Sequence, residues 1–142
     1  GGGIALGTGV SAARLDVWMV GLVDWSSLSR IGLLFGLVLF SLALSTVISH
    51  SAAANLLIPI GVSLATASTI DLDPAMAAVV IAVACSLAMS LPVSTPPNAI
   101  AFATGDVATR DLARTGLVLG ALGLVLVAFV APPVWDALGL LP

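Results

Sequence analysis

The sequence contains no lysine and no glutamate, one cysteine and one histidine among 142 residues. Only 8% of it is charged, where a soluble domain carries about 25%. The four arginines and seven aspartates are confined to short stretches. No Asp, Glu, Lys or Arg lies between Arg30 and Asp71, between Asp73 and Asp106, or between Arg114 and Asp136. This scarcity excludes a nucleic-acid surface, which needs clustered basic residues. Neither a nucleophile–base pair nor a metal-ligating cluster can be assembled, so an enzyme is not expected. Cys85 has no partner for an intrachain disulfide and reads as a small packing residue. What remains is apolar: 60% of the chain is hydrophobic. Charge-free runs of this length are membrane spans, since a span needs roughly 20 apolar residues.

The chain opens on Gly1-Gly2-Gly3 without a methionine, and it is expected to be a fragment lacking an N-terminal portion. Residues 1–10 read as the end of a truncated transmembrane helix. Over 11–30, Leu15, Trp18, Met19 and Leu22 share a helical face, with Arg14, Asp16 and Asp24 around it. This pattern predicts an amphipathic helix in the membrane interface, anchored by Trp18 and Trp25. Residues 31–69 form one apolar stretch of 39 residues, too long for one span. Its middle, Ser45 to Ser51, is polar and uncharged, and such backbone cannot face lipid. A helical hairpin with its tip at 49–51 resolves the conflict. Each arm would be about 27 Å long, which suits either two full spans or a re-entrant hairpin.

Asp73-Pro74 is a helix start, with Asp73 as N-cap and Pro74 in the first turn. That helix is expected to run to about Leu91. It should unwind over 92–98, where Pro92, Pro96 and Pro97 fall within six residues, and resume from Ala99 to Gly105. Residues 74–105 therefore read as one broken transmembrane helix. Thr109 is placed to cap the last span, 112–131, with Asp111 in its first turn. Gly116 and Gly120 have the spacing of close helix packing, Pro132-Pro133 should end the span, and Trp135 marks the interface.

Two interruptions thus fall at membrane depth. Each is followed by a new helix, whose N-terminal N–H groups and partial positive charge suit an anion without a buried cation. The hydroxyls of Ser49, Ser51 and Thr95 and the amide of Asn98 add neutral hydrogen bonds. Free carbonyls after the helix from Pro74 are suitable ligands for sodium. His50 is the sole ionisable group between Arg30 and Asp71, and an intramembrane ionisable residue is a functional candidate. Asn55, one turn on, either faces the site or joins helices.

The run Ser90-Leu91-Pro92-Val93-Ser94-Thr95-Pro96-Pro97-Asn98-Ala99-Ile100-Ala101-Phe102 resembles the signature of the divalent-anion:sodium symporter (DASS) family. A second stretch, Ser49-His50-Ser51-Ala52-Ala53-Ala54-Asn55-Leu56-Leu57-Ile58-Pro59, is similar to that family's hairpin with its Ser-Asn-Thr motif. The opening Gly1-Gly2-Gly3-Ile4-Ala5-Leu6 resembles a glycine-rich helix of these carriers.

The resemblance implies an all-α integral membrane protein, the second inverted repeat of an elevator-type transporter, with a re-entrant hairpin and a broken helix. It implies sodium-coupled transport of a small divalent anion such as a C4-dicarboxylate; sulfate transport and sodium-independent exchange stay open. A non-transporting membrane subunit is the reading from another class. Substrate would be met by Ser49, His50, Ser51, Thr95 and Asn98. Sodium would be met by Ser49, His50, Ser94, Thr95 and Pro97, largely through backbone carbonyls. Implied partners are the anion, sodium, the bilayer of the cell membrane, an N-terminal repeat and a second protomer; no cofactor is implied. His50 and Ser51 depart from the family's Asn and Thr. Because imidazole gains charge near neutral pH, His50 is expected to make substrate binding pH-dependent. Arg14 and Arg30 against Arg110 and Arg114 leave orientation tied by charge; the resemblance makes 105–114 cytoplasmic and puts the three Trp at the outer interface.

Overall fold

A computed structural model describes residues 29–67 and 71–139, with positions 5, 8, 9, 12–14 and 18 besides. The expected truncated helix over 1–10 and interfacial helix over 11–30 fall almost wholly outside these residues. Among the described residues all regular structure is helical.

Helix α1 spans Arg30–Val47 and α2 spans His50–Ala67. Ser29 caps α1, its hydroxyl accepting from the Gly32 N–H at 3.1 Å. The hairpin turn is tighter than expected. Ile48 is extended and closes α1, Ser49 follows, and His50 already begins α2. The turn therefore lies at 48–49, and His50 and Ser51 belong to the first turn of α2 rather than to a tip at 49–51.

Helix α3 spans Pro74–Ser86. Asp73 caps it as expected, accepting from Ala75 N at 2.7 Å and Met76 N at 3.0 Å, with Pro74 in the first turn. The helix stops five residues before the expected Leu91, and α4 spans Pro96–Ala103. The irregular stretch is therefore 87–95, not 92–98. The prolines explain the shift. Pro92 has no N–H for the Ala88 carbonyl and disfavours helical backbone at Leu91. Pro96 and Pro97 stand in the first turn of α4, where no N–H is needed. They open the second helix instead of lying in the gap.

Helix α5 spans Thr109–Val125; Asp111 is in its first turn as expected, but Thr109 is a helical residue and Ala108 is the uncapped N-cap. A π-turn over Leu126–Val130 leads directly into α6, Ala131–Leu138. The helix thus continues past Pro132-Pro133, which was expected to end it. In the π-turn the Ala131 N–H reaches back to the Leu126 carbonyl. That wider turn takes up the register change a proline imposes. Thr109–Leu138 is a continuous apolar helix of 30 residues; with Arg30–Val47 it is long and apolar enough to cross a membrane.

The core lies where α1, α2 and α3 meet. Leu33, Leu34, Val38, Met76, Val80 and Ile81 are fully enclosed there. Gly61 of α2 leaves room for Ile81 of α3. The π-turn closes the other side through Val127 and Ala128, with Phe35 and Phe129 ring centroids 6.0 Å apart. Arg30 at the start of α1 reaches Asp136 of α6 at 3.1 Å. Large apolar side chains such as Phe40, Leu117, Val118, Leu122 and Val125 face outward. So much exposed apolar surface marks contact with lipid or other protein.

Candidate functional site

The hairpin turn and the break in the second helix come together. Three side chains join them, each donating to a backbone carbonyl at or just beyond a helix end. Ser45 Oγ of α1 donates to the Cys85 carbonyl at 2.8 Å, with both residues buried. His50 Nε2 lies 2.7 Å from the Ala88 carbonyl. Ser94 Oγ donates to the Thr46 carbonyl at 3.0 Å. A carbonyl only accepts, so Nε2 of His50 carries a proton and Nδ1 is the nitrogen left for other partners.

The two helix starts differ in what they offer. At α2, Ser49 Oγ accepts from Ala52 N at 3.3 Å and the Ser49 carbonyl from Ala53 N at 2.9 Å. The N–H groups of His50 and Ser51 precede these and find no partner among the described residues. Ser49 and Ser51 are exposed and His50 is half-buried. At α4, Pro96 and Pro97 have no N–H to offer. The next two are consumed by Thr95: its hydroxyl accepts from Asn98 N at 3.3 Å and its carbonyl from Ala99 N at 3.1 Å. The expectation that both interruptions present free N–H groups therefore holds for α2 and fails for α4.

Asn98 turns its amide back across the break. Its Nδ2 donates to the Met89 carbonyl at 2.9 Å and to the Leu91 carbonyl at 3.3 Å. Two acceptor-only partners fix which end of the amide is nitrogen, and its unspent atom is the acceptor Oδ1. The sequence expectation gave the Asn98 amide neutral hydrogen bonds; in the fold its Nδ2 spends both donors on the break, and only Oδ1 is left for a ligand. Ser94 is buried and Pro97 exposed, while Thr95 is half-buried. Asn55 gives its Nδ2 to the Ser51 carbonyl at 2.7 Å, which strengthens the first turn of α2.

Ser45, the Ala88 carbonyl and Gly116 were not singled out as parts of the site from sequence. Ser41 and Ser45 are four apart on one buried face of α1, and that spacing in an apolar helix was the available signal. Gly116 and Gly123, rather than Gly116 and Gly120, pack closely: Gly116 lies on Ser90 and Gly123 on Leu87.

A family model for the sodium:sulfate symporter transmembrane region matches residues 1–141. The chain belongs to the sodium:sulfate symporter family. This is the divalent-anion:sodium symporter family that the two motifs resemble. Within the family, the chain is 33% identical to a sodium-dependent dicarboxylate transporter of Staphylococcus saprophyticus, over 94% of this chain and 26% of that protein. It is 34% identical to a Na(+)/citrate cotransporter of Rattus norvegicus, over 95% of this chain and 23% of the relative. It is 35% identical to solute carrier family 13 member 2 of Homo sapiens, over 90% and 22%. The chain spans about a quarter of the length of these relatives. Membership in the symporter family places it in a membrane, consistent with its two long apolar helices.

Proposed function

We propose that this chain is the second inverted repeat of a secondary transporter that moves a small divalent anion, a C4-dicarboxylate, coupled to sodium. The observation that carries this reading is the pairing of two unlike interruptions. The start of α2 offers two N–H groups without a partner among the described residues, the hydroxyls of Ser49 and Ser51, and the positive end of an 18-residue helix. The break between α3 and α4 offers carbonyls and Asn98 Oδ1, which are hard oxygen ligands for a cation. One half is suited to an anion and the other to sodium, and His50 and Ser94 hold them together.

In this reading substrate meets Ser49, His50, Ser51 and Thr95. Sodium meets carbonyls around Ser49, His50, Ser94, Thr95 and Pro97, and Asn98 joins it through Oδ1. The protein is not an enzyme. An N-terminal repeat supplies the rest of the site, the hairpin is re-entrant, and the full protein is a multi-pass homodimer in the cell membrane that works as an elevator. The relatives named for sodium-dependent dicarboxylate and citrate transport support the substrate class and the coupling ion.

A second reading, transport of sulfate or another oxyanion, is favoured by one residue. His50 replaces the asparagine usual in the resembled motif and changes the donors at the anion end. The test is uptake of labelled succinate into proteoliposomes carrying the full polypeptide that contains this chain, with and without an inward sodium gradient. Sodium-dependent succinate uptake is expected. Sulfate uptake without succinate uptake supports the second reading. Uptake of succinate unchanged by sodium leaves an exchanger, and uptake of neither anion leaves the non-transporting subunit.

A further inference from the structure

We infer that Gly116 is a positioning residue for the cation half of the site, acting through the backbone of the break; this rests on the function proposed above. Gly116 is buried on α5 and faces Ser90 directly. A Cβ at 116 would stand 2.6 Å from Ser90 N and 2.7 Å from Ser90 Oγ, and closer still to Ser90 Cα. These are distances carbon does not tolerate, and two of the three atoms are backbone. The strain cannot be relieved by turning a side chain; the chain at Ser90 must move.

Ser90 stands between Met89 and Leu91, whose carbonyls are the two acceptors of Asn98 Nδ2. Moving Ser90 moves both acceptors, and with them the Asn98 amide and its Oδ1. The absence of one methyl group on the last span therefore sets where a ligand oxygen on α4 sits. Neighbouring glycines provide the controls. A Cβ at Gly120 meets nothing within 4 Å. The three atoms nearest a Cβ at Gly123 all belong to the Leu87 side chain, whose Cδ1 can swing aside. Small residues on a helix for general close packing would be equivalent; these three are not.

The experiment compares Gly116→Ala with Gly120→Ala in the full polypeptide, reconstituted at equal protein amounts, with labelled succinate uptake measured against sodium concentration. Gly116→Ala is expected to raise half-saturating sodium by about fivefold or more, with Gly120→Ala within about twofold of the unmodified protein. Equal half-saturation in the two variants overturns the inference. So does a fall in maximal rate alone with half-saturating sodium unmoved, since that is a loss of working protein and not of position. Should Gly116→Ala fail to accumulate, Ser90→Gly tests the same contact from the other side. It loosens the break without crowding it, and about a threefold rise in half-saturating sodium is expected; no rise overturns the inference. If the unmodified protein shows no sodium-dependent uptake, the functional reading itself fails, and the inference with it. That outcome is distinct because it appears before any variant is compared.

Discussion

The hairpin turn and the helix break are the same device with opposite chemistry. Both interrupt an apolar helix and start another, yet one start keeps N–H donors and the other has none. The difference comes from four residues. At α2, Ser49 serves Ala52 and Ala53 and leaves the His50 and Ser51 N–H groups over. At α4, two prolines remove the first pair of donors and Thr95 takes the second. A helix start is a ready anion site only while its donors are unspent. Capped by Thr95 and opened by Pro96-Pro97, a short helix can stand beside a cation without presenting N–H groups to it.

The sharpest way to break this comparison is to return a donor to the break. Thr95→Val removes the hydroxyl that holds Asn98 N–H and leaves that donor free. Loss of an N-cap costs about 0.5–2 kcal/mol. Half-saturating sodium should rise about tenfold, within the roughly twofold to thirtyfold such a loss corresponds to, read from uptake against sodium, with half-saturating succinate moving less. A larger effect on succinate than on sodium would reverse the assignment of the two halves.

The opposite half is probed by His50→Ala. The Ala88 residue is buried, and without Nε2 its carbonyl loses its cross-link to the hairpin. An unmade bond of this kind costs about 1–3 kcal/mol. Half-saturating succinate should rise about fivefold or more, ahead of sodium. Thr95→Val and His50→Ala should therefore differ in which ligand moves more, and matching profiles from the two would erase the distinction between the halves. Ser94→Ala is milder. Its hydroxyl joins the break to Thr46 and belongs to neither half. A loss of about 1 kcal/mol in thermal unfolding is expected, with sodium and succinate affected alike, by about threefold or less.

How much of this was legible in the sequence follows from the range of each interaction. Asp73-Pro74 could be read because a cap and its helix are neighbours in the chain. The hairpin could be read to within two residues because a 39-residue apolar stretch must fold back somewhere polar. The break was placed too late because prolines were read as loop formers, whereas Pro96 and Pro97 occupy the helical positions where their missing N–H costs nothing. Pro132-Pro133 misled for a related reason: a π-turn at Leu126–Val130 carries the helix through, and nothing local in Leu-Val-Ala-Phe-Val announces it. The pairings Ser45–Cys85, His50–Ala88 and Ser94–Thr46 join residues 38 to 48 apart, and only the packing of α1, α2 and α3 brings them together. Motif residues were visible as types; whether each gives or takes a hydrogen bond was not, and that is what separates the two halves.

The smallest expected effect separates the two duties of His50. Its Nε2–H holds the Ala88 carbonyl, and Nδ1 is left for the anion end of the site. His50→Asn keeps a donor for Ala88 while removing the ring, so it tests the second duty alone. Half-saturating succinate in His50→Asn should stay within about twofold of the unmodified protein, against the rise of about fivefold in His50→Ala. A rise in His50→Asn as large as that in His50→Ala would mean that the ring itself, and not its hold on the break, serves the anion.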